Sequence, residues 1–128
     1  MMYVYYNPNP CGHQTGDCVV RAICAATGQT WDQSYDGVVL EGKRLAKMPT
    51  TNEVWESYLL RLGFRRYDLP DMCPDCYTVA DFARDHPDRV YILGTGSHAV
   101  TVKNGSIMDA WDSSQKIPRY YFVKKQEE

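Results

Sequence analysis

Apolar and polar positions along the chain predict helices in the first half and strands in the second. Residues 18–27 carry Val19, Val20, Ala22, Ile23, Cys24, Ala25 and Ala26, so the segment is apolar nearly all round. A helix of that composition is a buried one, and Gly28 suits a left-handed cap at its end. A second helix is predicted from Trp31 to about Leu45, and a third over 52–62, closed by Gly63. A short fourth, 79–85, stops before Pro87. Each of these three starts near a hydroxyl with a polar side chain three residues on: Thr30 with Gln33, Thr50 with Glu53, Thr78 with Asp81. That spacing lets side chain and backbone cap each other.

Strands are predicted at 4–6, 64–67, 90–93, 98–103, 106–111 and 120–124. Asn104-Gly105 between two alternating segments marks a tight type I′ hairpin. Residues 7–16 form a loop rich in Asn, Pro and Gly. Helices followed by antiparallel strands read as α+β, with the first helix packed on a C-terminal antiparallel sheet. There is no internal repeat and no linker, and only the charged tail, 124–128, stands apart. A chain of 128 residues fits one domain over 1–128.

The net charge of −2 is near neutral, and the longest basic clusters are Arg65-Arg66 and Lys124-Lys125. No nucleic-acid partner is therefore expected. No apolar run approaches the roughly 18 residues of a membrane span. The first residues, 1–6, show no positive region or cleavage site. A cytoplasmic protein with no membrane partner is the expectation.

Five cysteines, Cys11, Cys18, Cys24, Cys73 and Cys76, are an odd count, which argues against a disulfide scaffold. The spacing of Cys73 and Cys76 suits zinc or a redox pair. A closed zinc site needs two more ligands, and only Cys11 and His13 offer themselves. A thioredoxin-type pair opens a helix, whereas this one follows Leu69-Pro70 in a loop. A loop of free thiols is expected, with no metal and no cofactor.

Cys18 stands apart from the other four. It follows the polar run Gln14-Thr15-Gly16-Asp17 and opens the buried helix. Unpaired N–H groups and the positive end of the helix dipole favour thiolate there. The bland reading is a small apolar residue packing a helix start. A nucleophilic thiol needs a base, and the chain has three histidines. His86 precedes Pro87 and reads as a solvated helix end. His13 shares the loop of Cys18. His98 opens a strand after Gly94-Thr95-Gly96-Ser97, sharing a strand face with Val100 and Val102. A polar residue leading an apolar face is odd for packing, which singles out His98.

The run His98-Ala99-Val100, leading through the hairpin to Asp109-Ala110-Trp111, resembles the papain-like cysteine peptidases. In that family a strand begins His-Ala-Val and the returning strand ends Asn-Ser-Trp, where Asn orients the imidazole and Trp shields the bond. The family's nucleophilic cysteine also opens a long buried helix near the N-terminus. Two short motifs carry the likeness, in an order that spans most of the chain. It is closer to the small bacterial and phage-type members, bacteriocin-leader-processing domains among them, which often place Asp before Cys as Asp17-Cys18 does. The resemblance implies a papain-like fold and a Cys18–His98–Asp109 triad.

Pairing Lys103 with Ser106 across the turn puts Thr101 opposite Met108, Val100 opposite Asp109 and His98 opposite Trp111. Asp109 then shares the face of His98, and Asp112 does so only if a bulge follows Asp109. The family's oxyanion-binding Gln lies further before the cysteine than Gln14, which is four residues ahead. Asn7, Asn9 and the Asp17 region are alternatives, and the Cys18 N–H is a donor in any case. The expected reaction cleaves an amide, peptide or isopeptide bond through a thioester, with a protein or peptide substrate. Acyl transfer of transglutaminase or acetyltransferase type on the same site is one alternative. A non-catalytic papain-like binding protein of phage or mobile-element origin is the other.

Overall fold

A computed structural model describes residues 2–125 and shows a mixed α+β architecture of four helices and a six-stranded sheet. Residues 126–128 of the charged tail, and Met1, lie outside the described residues. The helices are α1 (Cys18–Thr27), α2 (Trp31–Leu45), α3 (Asn52–Arg61) and α4 (Val79–Asp85). The strands are β1 (Tyr3–Tyr5), β2 (Phe64–Asp68), β3 (Val90–Gly94), β4 (Ala99–Lys103), β5 (Ser106–Asp109) and β6 (Tyr120–Lys124). Among the described residues no helix is long and apolar enough to cross a membrane.

Local signals account for most helix ends. Gly28 closes α1 at φ 80°. Thr30 with Gln33 and Thr78 with Asp81 form reciprocal capping boxes at α2 and α4. The expected Thr50–Glu53 box does not form. Thr51 is the N-cap of α3, its hydroxyl donates back to the Met48 carbonyl, and Glu53 is paired with Lys47.

The sheet order is β1-β5-β4-β3-β6-β2. Its last five strands pair antiparallel, but β1 lies parallel to β5, with Tyr3 opposite Ile107 and Tyr5 opposite Asp109. The expected all-antiparallel, C-terminal sheet is thus corrected at both edges: β1 precedes every helix and β2 falls between α3 and α4. A three-residue strand carries no pattern that sets its direction. The hairpin follows the counted register, with Lys103 opposite Ser106 and Thr101 opposite Met108. Asn104 and Gly105 both take positive φ, 51° and 80°, as a type I′ turn demands.

Both faces of the sheet are covered. Ile92, Ala99 and Phe122 pack with Ile23, Trp55 and Leu59 under α1, α2 and α3. Leu93, Val100, Val102 and Ile107 pack with Val79 and Phe82 of α4 on the other side. Neighbouring strand residues thus serve opposite cores, which is why β3 reads as continuously apolar. The Thr101 hydroxyl donates to the Ala22 carbonyl at 2.7 Å, tying α1 to β4 across the layer boundary. Glu41 of α2 is buried and ties α2 to α3, receiving Arg61 Nε at 3.0 Å and the Ser57 hydroxyl, with Arg44 Nη2 at 2.6 Å.

Two expectations outside the site fail. Cys73 and Cys76 are joined by a disulfide rather than free, because the turn they share brings their Cα atoms to 4.1 Å. The compartment argument from cysteine count is blind to such a local approach. His86 is not solvated: its ring stacks on Phe82 at 3.8 Å between centroids, and Nδ1 lies 2.9 Å from the Phe82 carbonyl oxygen.

Candidate active site

Cys18 is the first residue of α1. The loop before it is folded on its own asparagines, with Asn9 Oδ1 accepting the N–H of Cys11 at 2.9 Å and of His13 at 3.3 Å. Asp17 occupies the N-cap but caps nothing with its side chain. Its carboxylate turns inward instead, taking Trp31 Nε1–H at 2.9 Å and the Arg21 guanidinium. The first-turn N–H groups of α1 therefore have no side-chain cap, which suits a site that receives negative charge.

His98 lies one residue before β4, at the end of a turn. Thr95 N–H donates to the His98 carbonyl at 2.9 Å, and His98 N–H to Thr95 Oγ1 at 3.1 Å. Val100 and Val102 face the α4 core, whereas His98 lines the same cleft as Cys18, on the side of α1, α2 and α3. The expectation that His98 shares their face is thus corrected: outside the ladder, the pleat no longer dictates direction.

His98 Nε2 donates to Asp109 Oδ2 at 2.8 Å. An ionised carboxylate only accepts, so Nε2 carries the proton and Nδ1 is left for the sulfur. Asp109 Oδ2 also takes the Ser113 hydroxyl at 2.7 Å. Its Oδ1 takes Arg21 Nη2 at 2.9 Å and the Ala110 N–H at 2.7 Å. That last bond turns the chain out of the ladder, so β5 ends at Asp109 and Trp111 lies beyond it, not within a strand to 111. The Trp111 ring still lies against His98, 4.6 Å between centroids. Asp112 is elsewhere, exposed and accepting Ser114 N–H at 3.0 Å.

The electrostatics follow from this geometry. Burial pushes the Cys18 thiol up, but the neighbouring His98 imidazole, the Ala99 N–H and the Arg21 charge outweigh it, and the thiol lies below its ordinary value. Burial pushes His98 down, but the bond to Asp109 and the nearby Cys18 sulfur win, raising the imidazole to about 9. Asp109 is lowered despite burial, through its bonds to His98, Ser113 and Arg21. The three groups favour a thiolate beside an imidazolium.

Cys18 and His98 stand on the wall of a cleft of about 780 Å³. Trp31, Tyr35 and Val38 of α2, Met48 and Pro49 of the following turn, and Trp55 of α3 form much of the rest. Trp31 and Tyr35 stack at 4.9 Å. Gln14 is not among the residues lining this cleft; its Nε2 donates to the Ala110 carbonyl at 3.5 Å. The structure thus brings Cys18, His98 and Asp109 together and holds Gln14 beside the segment after Asp109.

Sequence reasoning missed Arg21, Trp31 and Ser113, and treated Asp17 as part of a motif and as one of the oxyanion alternatives. The available signal was Arg21, a lone charge inside an otherwise apolar helix, with Asp17 four residues before it. Comparison of the chain with protein-family models, with curated proteins and with solved structures gives no match.

Proposed function

We propose that the chain is a cysteine-nucleophile hydrolase of papain-like type, cleaving an amide, peptide or isopeptide bond in a protein or peptide. The observation that carries this reading is Cys18 and His98 on the wall of one cleft, with Asp109 Oδ2 2.8 Å behind the imidazole. In the reaction, His98 holds the thiol proton and the Cys18 thiolate attacks the carbonyl carbon. The tetrahedral oxyanion meets the Cys18 N–H at the head of α1. Collapse breaks the carbon–nitrogen bond as His98 protonates the leaving amine, leaving a thioester. His98 then takes a proton from water, whose oxygen attacks the thioester; the carbon–sulfur bond breaks, the carboxylic acid leaves, and His98 returns the proton to the Cys18 sulfur. Asp109 holds His98 in the tautomer this requires. Gln14 is the side-chain candidate for a second oxyanion donor, a role it reaches only by leaving the Ala110 carbonyl. That placement of Gln14 favours one second reading, a papain-like domain that binds its partner without cleaving it.

The test is a library of fluorogenic peptide amides and an electrophilic peptide probe, applied to the wild type and Cys18→Ser. Cleavage and a covalent adduct, both lost in Cys18→Ser, are expected. Failure of the folded protein to form any adduct at Cys18 overturns the hydrolase reading. An adduct without cleavage of any substrate selects the binding reading. Preferential release of product onto added amines selects acyl transfer.

A further inference from the structure

Arg21 lies one turn along α1 from Cys18, with its side chain 5% exposed between two buried carboxylates. Nη1 meets Asp17 Oδ1, and Nη2 meets Asp109 Oδ1 at 2.9 Å. The second oxygen of each carboxylate is also committed, Asp17 Oδ2 to Trp31 Nε1 and Asp109 Oδ2 to His98 and Ser113. One guanidinium therefore joins the residue before the nucleophile to the carboxylate behind the base.

Packing alone does not call for this arrangement. Burying ions carries a large desolvation cost, and apolar residues of similar volume stabilise such a position as well or better. What the guanidinium adds is direction. A carboxylate at a strand end has two rotatable bonds, and pinning Oδ1 with Arg21 and the Ala110 N–H leaves Oδ2 aimed at His98. Arg21 suits this because its planar fork reaches both acids from one rigid group, whereas a lysine ammonium is a single point on a flexible stem.

We propose that Arg21 is a positioning residue for the Cys18–His98–Asp109 site, fixing the Asp109 carboxylate towards His98 from the same helix that carries the thiol. The inference rests on the reading of Cys18 and His98 as nucleophile and base. The ionisable groups facing the clamp are Asp17 at the N-cap of α1, Cys18 on α1, His98 before β4, Asp109 at the end of β5, and Tyr3 of β1, whose hydroxyl donates to the Asp109 carbonyl at 3.2 Å. The Arg21 charge is among the groups that offset burial at both Cys18 and Asp109.

The experiment measures the rate of iodoacetamide alkylation at Cys18 against pH, by mass spectrometry, in the full chain. It compares wild type, Arg21→Lys, Arg21→Met and the double variant Arg21→Met with Asp17→Asn, each checked for folding by near-UV circular dichroism. The double variant removes the acid that Arg21→Met leaves unpaired. Wild type is expected to react through a low-pH limb. Arg21→Met and the double variant are expected to move that limb up by at least about one pH unit, an alkylation loss of about tenfold near pH 6. Arg21→Lys is expected to fall between. A double variant with the wild-type profile shows that Arg21 only neutralises Asp17, and overturns the proposal. So does an Arg21→Lys profile identical to wild type, which decides the matter where the Met variants do not fold. A wild type lacking any low-pH limb overturns the hydrolase reading itself, an outcome distinct from the other two.

Discussion

His98 Nε2 and Asp109 Oδ2 are 2.8 Å apart, and the Asp109 carboxylate accepts four hydrogen bonds in all. Asp109→Asn sets two demands against each other. Arg21 and the Ala110 N–H require an acceptor at Oδ1, which turns the new amide nitrogen towards His98 and opposes the needed tautomer. Turnover should fall by about 10²-fold or more, on the scale of a lost acid–base partner. Asp112→Asn, at an exposed turn, should change the rate less than about threefold. Steady-state assays of both variants check this, and the reverse ranking would show that Asp112 orients the imidazole.

Of the five cysteines, two are closed in the Cys73–Cys76 disulfide, Cys11 is exposed and Cys24 is buried. Burial raises the Cys24 thiol, while Cys18 lies below its ordinary value. Brief iodoacetamide treatment at pH 6.5 should therefore label Cys18 first and Cys24 last, as read by peptide mapping. Labelling of Cys11 ahead of Cys18 would mark Cys18 as an ordinary packed thiol.

The pH profile of kcat/KM should be a bell. On the acid side activity rises as the thiol deprotonates, below the ordinary range because of His98. On the alkaline side it falls near pH 9, where the imidazole loses the proton it must give to the leaving group. Both limbs belong to the Cys18–His98 pair rather than to either group alone. An alkaline limb near 7 would show that Asp109 does not support the imidazolium.

Glu41 supports the α2–α3 wall of the cleft. Its bond from Arg44 lowers the carboxyl most, burial opposes, and Ser57 and Arg61 add to the lowering, bringing it to about 2 from 4.5. A depressed acid contributes stability above its unfolded value and loses it as pH falls through the folded one. The contribution is therefore complete above about pH 4.5 and fades towards pH 2. Glu41→Gln should lower the melting temperature by about 4 °C or more at pH 7. The gap to wild type should close on acidification, and a gap that stays constant down to pH 2 contradicts the assignment.

Much of this site was legible in the residue order, and the reasons are local. Cys18 could be placed because an apolar helix begins there, and helix ends are set by groups within a turn of one another. The Asn104-Gly105 turn, with both residues at positive φ, fixes the register from which Asp109 is counted. The capping boxes at Thr30 and Thr78 were legible for the same reason. At Thr50 the local pattern misled, because Lys47 takes Glu53.

The sequence by itself determined which segments are helix or strand, where the helix that Cys18 opens starts, and how the hairpin pairs. These depend on hydrogen bonds and periodicities spanning a few residues. Only the tertiary structure decided that β1 returns parallel to β5 and that His98 turns towards α1. It also decided that Arg21 lies between Asp17 and Asp109, the latter 88 residues away along the chain. A buried charge is placed by whichever opposite charges the packed layers bring to it, and no local pattern announces a partner at that distance.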